Sequence, residues 1–154
     1  MVTMWKQHPA RAELRALYDE VDRVMAPLSC PSSTDCCHFA RTGREPYPHA
    51  VELAEVEHAV RASNVKIAKV HKRLRMVAEV GDERRCPLLG ADGRCRIYAS
   101  RPFGCRTYFC DRVEGGEVPR ERVREIGRRI ASLSARAFPR DPGPRALTKA
   151  LTNS

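Results

Sequence analysis

The sequence predicts a mainly α fold, a small helical domain packed around a cysteine-rich centre with one short β-hairpin. Three observations predict it. Apolar residues recur at helical spacing over four separate stretches. An Asp92-Gly93 pair stands between two short apolar runs, the sequence signature of a tight hairpin. Seven cysteines fall into two groups, three between Cys30 and Cys37 and four between Cys86 and Cys110. At 154 residues the chain suits one domain with a modest core. We place that domain at residues 1–138, with a motif core at 30–110 and a disordered tail at 139–154.

The first helix is expected over Pro9–Met25, where Leu14, Leu17, Tyr18, Val21, Val24 and Met25 form one apolar stripe. Pro27 closes it. The run from Ser29 to His38 alternates small and turn-forming residues with Cys30, Cys36 and Cys37, a loop able to fold around a ligand. A second helix is expected over His49–Arg61 with Leu53, Val56 and Val60 inward, and a third over Val65–Val80, with Ser63-Asn64 as the break. The hairpin arms, Cys86–Leu89 and Arg94–Tyr98, would hold Cys86 near Cys95 and bury Tyr98. Ser100 and Pro102 read as the cap and first turn of a short helix carrying Cys105. The last helix is expected over Arg120–Phe138, with Val123, Ile126, Ile130, Leu133 and Ala137 inward. The Pro- and Gly-rich residues beyond it read as a tail without structure.

The longest apolar run is far below the roughly 18 residues of a membrane span, and the first residues show no signal-peptide core. The expected compartment is therefore the cytoplasm, where thiols stay reduced. An odd number of cysteines cannot pair off within one chain, and clustered thiols in a reducing compartment point to metal binding. The candidate ligands are Cys30, Cys36, Cys37, Cys86, Cys95, Cys105 and Cys110. Zinc takes four such ligands in a tetrahedron, and a cubane iron–sulfur cluster takes one thiolate per iron. The spacings are Cys30-x5-Cys36-Cys37 and Cys86-x8-Cys95-x9-Cys105-x4-Cys110. They contain no paired C-x2-C knuckle and no ferredoxin run, so the expected cofactor stays at zinc or iron, an iron–sulfur cluster included.

The same residues carry a resemblance. Cys30, Ser33, Cys36 and Cys37 align with a C-x2-C-x2-C-C motif in which Ser33 replaces the second cysteine. Cys86-Pro87-Leu88-Leu89 followed by Gly93-Arg94-Cys95-Arg96-Ile97-Tyr98-Ala99-Ser100-Arg101-Pro102-Phe103-Gly104-Cys105-Arg106 resembles the second block of the YkgJ-type cysteine-cluster family, the CxxCxxCC zinc- or iron-chelating domain. The resemblance implies metal chelation. Some larger proteins with a similar cluster are linked to iron–sulfur-dependent methyl transfer, which keeps an enzyme or enzyme accessory using the cluster for redox or group transfer among the readings.

Four thiolates on one zinc carry net negative charge, which calls for nearby cations. Arg101 and Arg106 are the expected partners of the sulfurs. Ser33 is either an opening in the ligand set or a loop residue, and His38 is either a further ligand or a polar loop residue. The net charge of +9 and the basic faces of the third and last expected helices raise a rival reading, a metal-stabilised module for nucleic acid or an acidic protein surface. Sparse aromatics, 6% of residues, argue against base-stacking recognition of single strands.

Overall fold

The computed structural model describes residues 2–28, 34–65, 85–108 and 115–152. Cys30, Ser33, Cys110 and the helix expected over Val65–Val80 lie outside the described residues. The rest is mainly helical. A short α1 (Val2–Lys6) precedes α2 (Pro9–Met25), α3 is a single turn (Phe39–Thr42), and α4 spans Ala50–Ala62. After the cysteine block come another single turn, α5 (Phe103–Arg106), the long α6 (Arg120–Ala137) and a terminal α7 (Leu147–Thr152). Among the described residues no helix is long and apolar enough to cross a membrane.

The start of α2 follows from its sequence. The imidazole of His8 accepts a hydrogen bond from the Ala10 N–H at 3.2 Å, and Pro9 takes the first helical position, where no N–H is needed. The stripe then buries Leu14, Leu17, Tyr18, Val21 and Met25 against Ile126, Ile130 and Leu133 of α6, with Val51 of α4 between them. Trp5 closes this core from α1, stacked on His8 and tilted against Phe138. The α2–α6 seam is also charge-matched. Glu20 pairs with Arg122 at 3.1 Å and Arg129 at 2.7 Å, and Glu13 pairs with Arg136 at 2.7 Å. Three arginines of the face expected to point outward are thus committed to carboxylates of the neighbouring helix.

A second core gathers Phe39, Leu53, Val56, Leu88, Leu89, Ile97, Leu147 and Leu151 around Cys86, with Cys37 and Cys95 half-buried beside it. Helix α4 serves both cores, so it is covered on nearly every side. The consequence is unusual for a helix read as amphipathic: Glu52 and Glu55 are buried along with their apolar neighbours.

The structure corrects four expectations. No β-strand forms among the described residues. Leu89 and Cys95 make a single antiparallel bridge, supported by Gly90 N–H to Arg94 O at 2.8 Å and Arg96 N–H to Leu88 O at 2.9 Å. Pro87 lacks a donor, the Leu89 N–H turns back to Cys86 O, and the chain enters a 3-10 turn at Tyr98, so neither arm is long enough for a ladder. Tyr98 is not in a core but 64% exposed, its ring covered by the Arg101 guanidinium at 3.9 Å. Ser100 does not cap α5. Its hydroxyl donates to Glu55, and Pro102 takes the cap position. The tail is ordered over residues 139–152. Pro142 O accepts from the Ala50 N–H and the Ser134 hydroxyl, Arg145 N–H and Leu147 N–H reach Pro48 O and Pro46 O, and Leu147 and Leu151 are buried. Two leucines at i, i+4 give the segment an apolar face that the second core lacks without it.

Candidate metal centre

Three segments carry the described cysteines, and the first two pack Cys37, Cys86 and Cys95 on the second core. The first is the 3-10 turn Asp35–Cys37, entered through a left-handed Thr34 (φ 58°) and closed by Cys37 N–H to Thr34 O and His38 N–H to Asp35 O. The second begins at Cys86, whose N–H donates to Cys37 O at 2.8 Å beside the His38–Arg85 bridge. That contact joins the two motif blocks across nearly fifty residues of chain. The turn at Gly90–Gly93 then returns Cys95 opposite Leu89. Gly93 supplies the positive φ (73°) that this reversal needs. The third segment is α5, which carries Cys105 on a turn started by Cys105 N–H to Pro102 O.

The five described cysteines are unpaired thiols. Cys36 is exposed, Cys86 is buried, and Cys37, Cys95 and Cys105 are in between. Their acidities show that they share one electrostatic neighbourhood. The Cys37 thiol hydrogen-bonds the Cys36 sulfur and holds it down to about 7, against the opposing effect of burial. Cys37 is driven strongly upward by that same bond, by burial, and by the sulfurs of Cys36, Cys86 and Cys105. Burial pushes Cys86 up to about 11, with Cys95 and Cys36 adding to it. Burial likewise raises Cys105 far above the ordinary thiol range, followed by Cys86, Cys95 and Cys36. Cys95 is raised by burial and pulled back by Arg101.

Arg101 is the cation whose charge acts on two of these sulfurs. It lowers both Cys36 and Cys95 while its own guanidinium donates to Tyr98 O at 3.1 Å and lies 3.7 Å from Asp22. Arg106 has a different situation. It is buried over the Tyr18 ring at 4.1 Å. Its Nε donates to Arg101 O at 2.9 Å, one terminal nitrogen to Ala99 O at 2.7 Å and the other to Asp22. The expected sulfur partner thus works on the backbone of the segment between Cys95 and Cys105.

Soft sulfur donors suit zinc, iron and their clusters, so the donor set fits the expected group in kind. Among the described residues no group of three His, Cys, Asp or Glu side chains is already arranged to hold an ion. The thiols are gathered rather than closed. A metal would draw the sulfurs inward and displace the protons that burial keeps on them.

Periodicity and spacing do not reveal the residues that frame this centre. Glu52 accepts from the Phe103 N–H at 2.7 Å, the His49 N–H at 3.0 Å and the Tyr18 hydroxyl at 3.1 Å. Burial raises its pKa against those bonds. Glu55 accepts from Trp5, Arg11, Arg15 and Ser100. With Asp22, these carboxylates pin the 98–106 segment to α2 and α4. The one signal in the sequence is a pair of arginines, Arg11 and Arg15, one turn apart on α2.

A family model, CxxCxxCC, described as a "putative zinc- or iron-chelating domain", matches residues 29–122. No curated protein and no solved structure matches the chain.

Proposed function

The chain belongs to the CxxCxxCC family, and on that premise we propose that it binds zinc or iron through thiolates of Cys36, Cys37, Cys86, Cys95 and Cys105, with Cys30 and Cys110 completing the donor set. The observation that supports this most directly is the packing of Cys37, Cys86 and Cys95 on one small core, joined by the Cys86 N–H to Cys37 O bond, with the charge of Arg101 lowering Cys36 and Cys95. The two motif blocks meet at the Cys86 N–H to Cys37 O bond, so loading couples to folding: a metal that binds both blocks stabilises the only arrangement that presents them together. The bound ion or cluster would supply Lewis acidity or electron storage. The chain contributes the sulfurs, the compensating guanidinium and a dry apolar backing of Leu88, Leu89 and Ile97.

Chelation in a single cytoplasmic metal-binding unit is a better-supported reading than nucleic-acid binding. The arginines of α6 that suggested phosphate contacts are largely paired, Arg122 and Arg129 with Glu20, Arg136 with Glu13 and Arg124 with Glu121.

Metal and acid-labile sulfide analysis on protein purified without oxygen tests the proposal. Stoichiometric zinc in colourless protein supports a mononuclear thiolate site. Iron with equal sulfide and a broad band near roughly 400 nm supports a cluster and brings redox or group transfer forward. Folded protein that takes up neither metal refutes chelation.

A further inference from the structure

Asp22 lies on α2, before the segment that the family model matches, yet it meets two arginines of the cysteine block, Arg101 and Arg106. One carboxylate oxygen meets Arg106 and the other lies 3.7 Å from Arg101. Arg106 in turn holds the carbonyls of Ala99 and Arg101. A single carboxylate thereby fixes a guanidinium fork, the fork fixes the peptide between Cys95 and Cys105, and that peptide carries Arg101, whose guanidinium the same carboxylate also meets. The Arg106 side chain is 3% exposed, whereas Asp22 is 44% exposed, so the anchor can be altered without opening the core.

We propose that Asp22 is a positioning residue of the metal centre, acting through Arg106 and Arg101 to set the Cys95–Cys105 segment for metal binding. The inference rests on the chelation reading and adds α2 to the centre. It makes a prediction of definite sign. A carboxylate near a thiolate site disfavours the anionic form of the sulfurs, so as a bare charge Asp22 would weaken metal binding, and its removal would tighten it. As a positioning residue it does the reverse: without it the fork loses its charged partner, the segment loosens and binding weakens.

The test is cobalt(II) and zinc(II) affinity of wild type and Asp22→Asn, measured anaerobically by competition with a chromophoric chelator. The cobalt–thiolate absorption and the melting temperature of metal-free protein are recorded alongside. The expected result for Asp22→Asn is affinity lower by about tenfold, the low end of what loss of an outer partner costs a metal site, with an altered cobalt spectrum and a metal-free protein that stays folded but melts lower, because the buried guanidinium loses its charged partner. Arg106→Lys, which keeps the charge but cannot span two carbonyls, should weaken binding more than Arg101→Lys, which also keeps its charge but holds only one carbonyl. Unchanged or tighter binding in Asp22→Asn overturns the proposal while chelation stands, whether or not Arg106→Lys folds. Wild type that takes up neither metal overturns the chelation reading itself, and this inference with it.

Discussion

Glu55 offers the sharpest test of how α4 organises the molecule. Its carboxylate is fully buried, and two oxygens accept from four side chains. Oε2 takes Trp5 Nε1 at 3.0 Å and Arg11 Nε at 2.8 Å, and Oε1 takes Ser100 Oγ at 3.1 Å with longer bonds from Arg11 and Arg15 at 3.3 Å. In Glu55→Gln the amide nitrogen must replace one oxygen. On the Oε2 side it would meet two N–H donors. It therefore turns to the Oε1 side, where the Ser100 hydroxyl can rotate and accept. Trp5 and Arg11 keep a partner but lose its charge, at about 1 kcal/mol each. Arg15, 41% exposed, returns to water at little cost. The sum is a loss of about 2 kcal/mol. Glu55→Ala leaves the Trp5 and Ser100 donors buried without partners and should cost about 4 kcal/mol. Trp5 is the only tryptophan, so urea unfolding followed by its fluorescence reads both the stability and the bond itself. The pH dependence supplies an independent check. Burial pushes the Glu55 pKa up, but the bonds from Arg11 and Trp5 and the charge of Arg11 outweigh it and hold it below the ordinary value. The stabilisation is therefore present above the unfolded pKa, about 4.3, and is lost as pH falls through the folded one. The gap between wild type and Glu55→Gln should narrow over that acid range. A Glu55→Gln protein within about 0.5 kcal/mol of wild type at pH 7, a change no larger than a neutral surface substitution makes, would refute the reasoning.

Three further outcomes are expected. Cys95→Ala and Cys105→Ala should each lower both bound metal and the melting temperature of metal-loaded protein, read by elemental analysis and circular dichroism; full loading in both would refute a site shared between the segments. Truncation after Phe138 removes Leu147 and Leu151, 1% and 6% exposed, and should cost about 3 to 5 kcal/mol for two buried leucines; a truncated chain with wild-type unfolding midpoint would show that the strap contributes nothing to the second core. Glu20→Lys sets a cation against Arg122 and Arg129 and should destabilise by about 1 kcal/mol at low salt, less at 1 M salt as screening takes hold; a salt-independent loss would mean that packing, not charge, is at work there.

Much of the helical framework was legible in the sequence. The Pro9–Met25 helix was readable because an unbroken apolar stripe is closed by Pro27. The α6 boundaries fell within one residue because Pro119 and Pro139 bracket its stripe. The hairpin was misread because Asp92-Gly93 signals a reversal and says nothing of whether the arms are long enough to pair. Tyr98 was assigned to a core because an aromatic in a strand pattern reads as buried; in a 3-10 turn it points outward and meets Arg101 instead. The cysteine set was legible as a donor inventory, and three of its members, Cys37, Cys86 and Cys95, pack on the second core.

By itself, the sequence determined where the helices of α2, α4 and α6 run and which sulfurs are available, because helical period and residue identity are local properties. Only the tertiary structure decided which charges go inside. Glu52 and Glu55 carry no sign of burial in the sequence, and Arg106 reads there as a partner of the sulfurs; all three are buried because α2 and α4 bring partners that compensate their desolvation. The order of residues 139–152 was decided in the same way. Proline and glycine predict an irregular path, but whether that path is ordered depends on a distant apolar surface, here the core that holds Cys86, waiting to be covered by Leu147 and Leu151.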